Sequence, residues 1–315
     1  MSLADRTPPT VEEYAAYRQR LSNWGRWGPD DRLGTLNHIT HEVRRAAAHL
    51  LLDGRTESLA LALQGPPRAQ LPSGFEQTMR IGESSSSDEL RINFHGWSIT
   101  HLDALCHIFT APGGQLYNGR PVADVTATGA RSGDVSAYAN GIVTRGVLYD
   151  VPRFRGVPHV TLDAPVHGWE LQDIAAAQGV TPRAGDAVVV RSGASAWYAA
   201  TPDFANGQMD RMPGVHGSAL EFLHGTDAAL LVWDLLDAAV QDLPAGFHVG
   251  GGRAVALPLH EIAIPYLGMP LLDNADLDAL AATCAELGRW EFMLVVAPLV
   301  VRGGTGSPVN PLAVF

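Results

Sequence analysis

The segment THLDALCH, residues 100–107, places two imidazoles and a carboxylate in a short and otherwise largely apolar stretch. On a β-strand, residues i and i+2 face the same side. A strand over 94–103 would therefore present His101 and Asp103 together, about 7 Å apart at Cα. Imidazole and carboxylate groups at that spacing can reach one zinc, manganese or iron ion. His107 follows the predicted strand and could face the same pocket without being a ligand.

A hydrogen-bonded pair is the simpler interpretation of His101 and Asp103, because isolated H-x-D pairs are common. Against it, Asp103 stands among Leu102 and Leu105, and a buried carboxylate needs a charged partner or a cation. The neighbouring Cys106 is better explained as a small buried thiol of the core than as a nucleophile. The residues alone therefore leave a metal site and a buried polar pair as alternatives.

The bulk composition excludes several classes of protein. The 315 residues are 46% hydrophobic and 17% charged, which is enough for one large domain with a packed core. A net charge of −11 argues against a nucleic-acid-binding surface. Cys106 and Cys284 form no disulfide framework, which favours a reducing, cytoplasmic location. No apolar run approaches a membrane span and none marks a signal peptide, so we expect a cytoplasmic protein.

Helices and strands alternate along the predicted chain. Predicted helices begin at Thr10 (a capping box with Glu13), at Thr40 (ending at Gly54), at His167 (ending at Gly179), at Ser218 (a capping box with Glu221) and at Asp276 (ending at Gly288). Predicted strands cover 94–103, 143–151, 186–192, 228–234 and 291–301. The alternation predicts an α/β fold with a mixed β-sheet. No proline-rich linker divides the chain, so we expect one domain over 1–315, with an N-terminal helical arm (1–55) and a catalytic core (56–315).

Two separated motifs resemble those of the cyclase family of metal-dependent hydrolases, which includes bacterial kynurenine formamidases and isatin hydrolases. THLDALCH at 100–107 is similar to the family signature H-x-G-T-H-x-D-x-x-x-H. LPLH at 257–260 and GMPLLDNADLDAL at 268–280 resemble its distal motif, a histidine followed by an acid about a dozen residues later. The head NWGRWGPDDRLGTLNHIT and the tail GRWEFMLVVAPLVVRGGTGSPVNPLAVF resemble a long-chain branch. The resemblance implies a swivelling β/β/α fold and a homo-oligomer.

The resemblance also implies a role for each matching residue. His101 and Asp103 correspond to the metal ligands of the first motif, and His107 to its general acid/base. His260 and Asp273 correspond to the distal ligands, although on sequence alone each could equally be a structural loop residue. The implied cofactor is a divalent metal ion, zinc or manganese.

The chain departs from the family motif at positions that bear on the number of metal ions. The family's first histidine is Trp97 here, and the usual glycine is Ile99. The loss of that histidine predicts one ion rather than two, unless His95 takes its place from two residues earlier. The distal acid is Asp273, whereas the family usually has a glutamate one position earlier.

The implied reaction is hydrolysis of an amide or cyclic amide C–N bond in a small substrate. A divalent ion lowers the pKa of its bound water towards about 7, and the metal-bound hydroxide attacks the carbonyl while a histidine delivers a proton to the leaving group. Trp97 and Tyr117 would suit an aromatic substrate, although core packing explains them as well. His216 and Asp234 are further candidates for the pocket, with a cap neighbour and a structural carboxylate as alternatives.

Other functions use nearly the same residues. A lactone hydrolase of the same fold needs the same ligands, and so does a non-hydrolytic cyclase or dehydratase of secondary metabolism. The change to Trp97 also leaves open a binding protein on a degenerate site. A serine hydrolase is disfavoured, because the sequence has no G-x-S-x-G motif.

Overall fold

The computed structural model describes residues 2–65, 69–110, 114–205, 208–239, 247–249, 253–255 and 257–315. The helices in these ranges are α1 (Ser2–Asp5), α2 (Val11–Arg20), α3 (His41–Ala48), α4 (Val151–Arg155), α5 (Gly168–Gln178), α6 (Ala194–Ala200), α7 (Ala219–Gly225), α8 (Pro258–Ile262) and α9 (Asp278–Leu287). The strands are β1 (Thr56–Ser58), β2 (Phe75–Ile81), β3 (Ser86–Ile92), β4 (His101–Asp103), β5 (Gln115–Leu116), β6 (Arg120–Pro121), β7 (Val125–Thr126), β8 (Gly129–Ala130), β9 (Ile142–Asp150), β10 (Ala187–Arg191), β11 (Leu230–Trp233), β12 (Phe247–Val249), β13 (Arg253–Val255), β14 (Leu271–Asp273), β15 (Glu291–Val296), β16 (Gly306–Pro308) and β17 (Leu312–Val314). Among the described helices, none combines the length and apolar character needed to cross a bilayer.

A nine-stranded mixed sheet lies at the centre of the fold, in the order β1-β17-β15-β9-β10-β11-β14-β4-β16. The four strands β9, β10, β11 and β14 are parallel to their neighbours within this group. Antiparallel strands extend it on both sides, with β15 next to β9 and β4 next to β14. This arrangement confirms the predicted α/β class with a mixed sheet.

Both faces of the sheet are covered by apolar side chains. Alternate residues of β11 point to opposite sides, as strand geometry requires. Leu231 and Trp233 belong to one buried cluster, whereas Leu230 and Val232 belong to the other. A strand buried on both faces has a continuous apolar sequence, which is why LLVW is readable as a central strand.

The strand predicted over 94–103 is wrong in its first part, because only His101–Asp103 is a strand. The preceding residues bend, with Gly96 at φ +147°. The side-chain amide of Asn274 donates hydrogen bonds to the carbonyls of Gly96 (2.6 Å) and Ile99 (3.1 Å). These bonds satisfy backbone groups that a strand would have paired in the sheet, so the chain can turn here without leaving them buried and unbonded.

Other predicted boundaries agree in part with the structure. The strands at 143–151, 186–192 and 228–234 appear as β9, β10 and β11, and Thr10 forms the predicted capping box with Glu13. The strand predicted at 291–301 ends at Val296, two residues before Pro298, which has no N–H for the sheet. The helix capped by Thr40 ends at Ala48 rather than at Gly54.

The capping box predicted for Ser218 and Glu221 is absent. Ser218 has helical backbone angles, and its side chain makes no cap hydrogen bond to α7. Its hydroxyl instead accepts a hydrogen bond from the backbone N–H of Gly168 at 3.2 Å and lies 3.1 Å from the ring of His167. A tertiary contact to the start of α5 has therefore replaced the local cap.

The N-terminal segment packs against the region around α8. The Tyr14 hydroxyl donates to the carbonyl of Pro258 at 2.9 Å. Gly34 has φ +57°, and a Cβ at this position would lie 1.8 Å from the carbonyl oxygen of Gly268. The neighbouring Thr35 donates its N–H to that same oxygen at 2.8 Å. Only glycine permits this close approach, which braces the segment that carries His260.

Candidate metal centre

The pairing of β4 with β14 brings the two motifs together. In this antiparallel pair, His101 lies opposite Asp273 and Leu102 lies opposite Leu272. Directly opposed residues share a face of the sheet, and the next residue along each strand faces the other way. Leu102 and Leu272 accordingly point into one apolar cluster, which leaves His101, Asp103 and Asp273 on the opposite face.

Asp103 lies at the centre of a cluster of imidazoles and carboxylates. Its Oδ1 is 3.1 Å from Nδ1 of His95 and 3.4 Å from Nε2 of His101. Its Oδ2 is 3.7 Å from Nε2 of His260, which in turn is 3.2 Å from Oδ2 of Asp273. Two sets of three possible ligands result, one with His95 and His101 and one with His260 and Asp273, and each has its ligand atoms within 4.8 Å of one another. Both sets share Asp103.

The carboxylate of Asp103 is buried without a hydrogen bond. Its side chain is 1% exposed, and neither oxygen has a hydrogen-bond partner, nor does Nδ1 of His95. Buried polar atoms in proteins are almost always bonded, since leaving a charge unbonded away from water is costly. A divalent cation would satisfy these atoms, and imidazole with carboxylate is a donor set that zinc and manganese accept. The residues present therefore fit a metal ion.

The ring nitrogens that face away from Asp103 are held by neighbouring groups. Nδ1 of His101 is 2.8 Å from the carbonyl oxygen of Ile99, so this nitrogen carries the proton and Nε2 is left towards Asp103. Nε2 of His95 is 2.9 Å from the hydroxyl of Thr305. Metal-binding histidines in proteins usually have their second nitrogen fixed in this way.

Sequence reasoning missed Asp237, which orients His260. One Asp237 oxygen is 2.5 Å from Nδ1 of His260, and the other accepts the backbone N–H of Leu259 at 2.6 Å. Trp233 orients Asp273, the candidate ligand that faces His260, in a similar way. Its Nε1 donates a hydrogen bond to Oδ1 of Asp273 at 2.6 Å, which leaves Oδ2 directed towards His260. The sequence feature that could have revealed Asp237 is a second acidic residue in the apolar stretch LLVWDLLDAA at 230–239.

The electrostatics of the cluster favour positive charge. Burial lowers the pKa of His260, yet the carboxylates of Asp237 and Asp273 outweigh it and raise that pKa well above the usual value. Burial raises the pKa of Asp103, yet His107 and the other nearby imidazoles outweigh it and hold that pKa below the usual range. A cation between these groups would occupy the place of the His260 proton, and its binding would release that proton.

His107 lies beside the cluster rather than within it. Its Nε2 is 3.6 Å from Oδ2 of Asp103, and its side chain is 26% exposed. The ring stacks on His95, with centroids 3.9 Å apart and an angle of 1° between the planes. Burial lowers the pKa of His107 to about 4 in spite of the carboxylate of Asp103. The ring is therefore neutral at pH 7 and can accept a proton.

The side chains of Asp234 and Tyr117 make hydrogen bonds that give each of them a structural role. The Asp234 carboxylate accepts the backbone N–H groups that open α6, those of Gly193 and Ala194, both at 2.9 Å. The Tyr117 hydroxyl donates to Asp31 at 3.0 Å. Neither residue belongs to the two ligand sets found among the described residues.

Trp97 and His216 also supply no atom to the two ligand sets of the described chain. Trp97 is partly buried and packs against one of the apolar clusters, so the family's first histidine has no equivalent at this position. His95 instead approaches Asp103 from the bend. His216 is buried, and its Nδ1 accepts the N–H of Ser218 at 3.0 Å. A pocket role for Trp97 and His216 stays a prediction.

Several solved structures have a fold similar to that of this chain. A crystal structure described as a novel cyclase is 27% identical, covers 95% of this chain and 99% of its own, and has a TM-score of 0.78. Isatin hydrolase A from Labrenzia aggregata, bound to benzyl benzoate, is 18% identical over 82% of this chain and 93% of its own, with a TM-score of 0.53. Isatin hydrolase A from Ralstonia solanacearum is 22% identical over 87% of this chain and 97% of its own, with a TM-score of 0.51. At these identities, the two isatin hydrolases show a shared fold.

A comparison with curated protein sequences gave no significant match. The sequence model of the Cyclase family matches residues 35–240. The matched region contains the first motif with His101, Asp103 and His107, and it also contains Asp237. Because the match spans well over half of the chain and the fold agrees with that of a solved cyclase, the chain belongs to the Cyclase family.

Proposed function

We propose that this chain is a metal-dependent hydrolase that cleaves an amide or cyclic amide C–N bond in a small, aromatic substrate. The observation that carries the proposal is the buried carboxylate of Asp103, whose two unbonded oxygens face imidazoles on either side. Membership of the Cyclase family supports it. Two proteins of the same fold are named isatin hydrolases, and isatin is a cyclic amide.

In this proposal, His101, Asp103, His260 and Asp273 hold one divalent ion, zinc or manganese. Four atoms in tetrahedral coordination, each about 2.1 Å from the metal, lie roughly 3.4 Å from one another. Nε2 of His260 lies 3.2 Å from Oδ2 of Asp273, and Nε2 of His101 lies 3.9 Å from that same oxygen. Asp103 presents Oδ1 to His101 at 3.4 Å and Oδ2 to His260 at 3.7 Å. These separations are near the spacing that such an ion requires, with either oxygen of Asp103 available to it.

When bound, the cation polarises the substrate carbonyl and makes water a stronger nucleophile at neutral pH. His107 supplies the proton transfers. Its neutral ring accepts a proton from the attacking water as the new C–O bond forms, and it returns that proton to the nitrogen as the C–N bond breaks. The nitrogen is thereby released as a neutral amine, which departs from a linear amide and stays attached to the product of a cyclic one. Asp237 keeps Nε2 of His260 directed towards the cation throughout.

Metal content and product mass test the proposal together. Protein purified without chelator should contain about one equivalent of zinc or manganese per chain by elemental mass spectrometry. Incubation with isatin and with a panel of aryl formamides should give products heavier by one water, and a chelator should stop the reaction. No metal after reconstitution with either ion would overturn the proposal. Two equivalents would place a second ion at His95, and turnover of lactones alone would assign the alternative ester-type substrate.

Replacing Asp237 by asparagine is expected to weaken cation binding by roughly 10–100-fold, the usual cost of losing a partner that orients a ligand. The amide cannot hold the proton of His260 Nδ1 as the carboxylate does. Isothermal titration of the metal-free protein measures the effect. Asp234→Asn is the matched control, because it changes a buried aspartate of the same segment whose contacts lie at α6. Equal affinity in Asp237→Asn and wild type would contradict an orienting role.

A further inference from the structure

A cavity of about 610 Å³ lies close to the candidate metal centre, although none of its described lining residues belongs to the two ligand sets. The largest side chains of this lining are apolar or aromatic, namely those of Leu61, Leu63, Leu71 and Tyr198. Binding sites for small molecules are concave, mostly apolar and about 300 to 1,000 Å³ in volume. The cavity therefore has the size and the character of a site for part of a small molecule.

Hydrogen bonds connect the wall of this cavity to the residues next to two proposed metal ligands. The backbone N–H of Leu61, in the cavity wall, donates to Oγ1 of Thr100 at 2.9 Å. That hydroxyl donates in turn to the carbonyl of Asn274 at 2.7 Å. Thr100 immediately precedes the proposed ligand His101, and Asn274 immediately follows the proposed ligand Asp273. Since neighbouring Cα atoms are about 3.8 Å apart, the cavity wall lies on the order of 10 Å from both ligands.

The cavity also lies on the same side of the sheet as the proposed ligands. Leu71 and Tyr198 belong to the apolar cluster that contains Trp233. The indole N–H of Trp233 donates to the carboxylate of Asp273, which places that cluster on the face of the metal centre. Ser98 lines the cavity as well, and it belongs to the bend that precedes β4. A substrate whose amide carbonyl reaches the centre can therefore extend its other end into this cavity.

The charge of the lining is negative. Asp276 is the one charged side chain among the described lining residues, beside the hydroxyls of Ser98 and Ser195. Its carboxylate is partly buried and makes no hydrogen bond or ion pair with another described residue. An ammonium group that reaches Asp276 gains an ion pair, whereas a carboxylate there is repelled. The net charge of −11 on the complete chain acts in the same direction, so the cavity favours a cationic end over an anionic one.

We propose that this cavity holds the end of the substrate remote from the scissile bond, and that this end is an apolar group that terminates in an amine. The apolar body packs against Leu63 and Leu71, and the ammonium group pairs with Asp276. This substrate class rests on the proposed function and narrows it to amides that carry a positive charge away from the reacting carbonyl. Contacts made by the remote end hold the carbonyl in place at the centre, so their loss lowers kcat/KM.

Binding of 4-phenylbutylamine to the metal-free protein tests the cavity without any need for hydrolysis, and no metal is then present for the amine to bind. Isothermal titration should show that this amine binds more tightly than 4-phenylbutanol, and that 4-phenylbutanoate binds most weakly. Asp276→Asn should weaken binding of the amine by roughly three- to tenfold, the effect of a partly exposed ion pair, and should leave binding of the alcohol unchanged.

A tryptophan placed in the cavity tests its location. Ala199 lines the cavity from α6, so Ala199→Trp should weaken binding of both the amine and the alcohol by at least roughly tenfold. Ala200→Trp is the matched control, because Ala200 is also exposed in α6 but is absent from the described lining. Since both positions are exposed on a helix, circular dichroism should show both variants folded.

Hydrolysis of three formanilides by the metal-loaded chain tests the link between the cavity and the centre. Each carries the same four-carbon para chain, which ends in an amine, a hydroxyl or a carboxylate. The amine should have the highest kcat/KM and the carboxylate the lowest, with at least roughly a tenfold difference between them. Ala199→Trp should remove this preference, and Ala200→Trp should keep it.

The possible failures are distinguishable from one another. If 4-phenylbutylamine does not bind to wild type, or binds equally to Ala199→Trp, the cavity is not its site and the inference is overturned. Equal hydrolysis of all three formanilides would overturn the cavity as part of the substrate site and leave the proposed hydrolysis intact. Binding of the amine in the cavity without hydrolysis of any formanilide would overturn the proposed function, and the amine would then not represent a substrate.

Discussion

Replacing Asp103 by asparagine is expected to abolish stoichiometric cation binding. It should also reduce the rate of hydrolysis by more than the 10–100-fold that is usual when a residue that only orients a metal ligand is lost. Both oxygens of Asp103 face ligand nitrogens, and both candidate ligand sets contain this residue. The amide keeps the shape of the side chain but removes its charge and turns one oxygen into a donor. No other described residue supplies a carboxylate to both sets.

Metal content and thermal unfolding measure this effect independently of any substrate. A cation that binds only the folded chain stabilises it by about 4 kcal/mol at a concentration 1,000 times its Kd. Wild type should show this shift on addition of zinc or manganese, and Asp103→Asn should show none. Asp234→Asn again serves as the control, and it should keep the shift. Full activity in Asp103→Asn would rule out the proposed centre.

Replacing His107 by alanine or glutamine is expected to leave about one equivalent of metal and to lower kcat by about 10²–10⁴-fold, the usual contribution of a general acid or base. His107 lies outside both ligand sets of the described chain, and its edge reaches the surface beside Asp103. The neutral ring at pH 7 is the form that the first proton transfer needs.

Two measurements separate this role from a structural one. Metal content should be unchanged in both variants, which distinguishes proton transfer from ligation. Added imidazole should restore part of the activity of His107→Ala, because that variant leaves space for the missing ring, whereas His107→Gln should gain little. A loss of metal in both variants would make His107 a ligand instead.

The sequence predicted the strand that carries His101 and Asp103 better than it predicted the segment before that strand. Strand periodicity correctly placed His101 and Asp103 on one face, since those residues do form a strand. Periodicity failed for residues 95–99, because the side chain of Asn274 donates hydrogen bonds to the carbonyls of Gly96 and Ile99. These bonds, from a residue distant in sequence, take the place of pairing within the sheet. Periodicity carries no information on such a contact, yet the bend is what brings His95 to Asp103.

The distal half of the site came from the family resemblance rather than from local pattern. Nothing in the residues near His260 predicts that Asp273 will lie opposite His101, because strand register depends on pairing between remote segments. Asp237 was missed for a related reason. Its role depends on how α8 approaches the end of β11, and a buried aspartate in an apolar stretch has many structural explanations.

The register of β4 between β14 and β16 also determines when during protein synthesis the centre can exist. β4 consists of residues 101–103, whereas β14 consists of residues 271–273 and α8, which carries His260, of residues 258–262. Domains generally fold as units, and the proposed ligand set is complete only when β4 has paired with β14 and α8 is in place. A nascent chain that has been synthesised only as far as β11 therefore lacks two of the four proposed ligands, and complete binding of the proposed cation must wait until synthesis has passed Asp273.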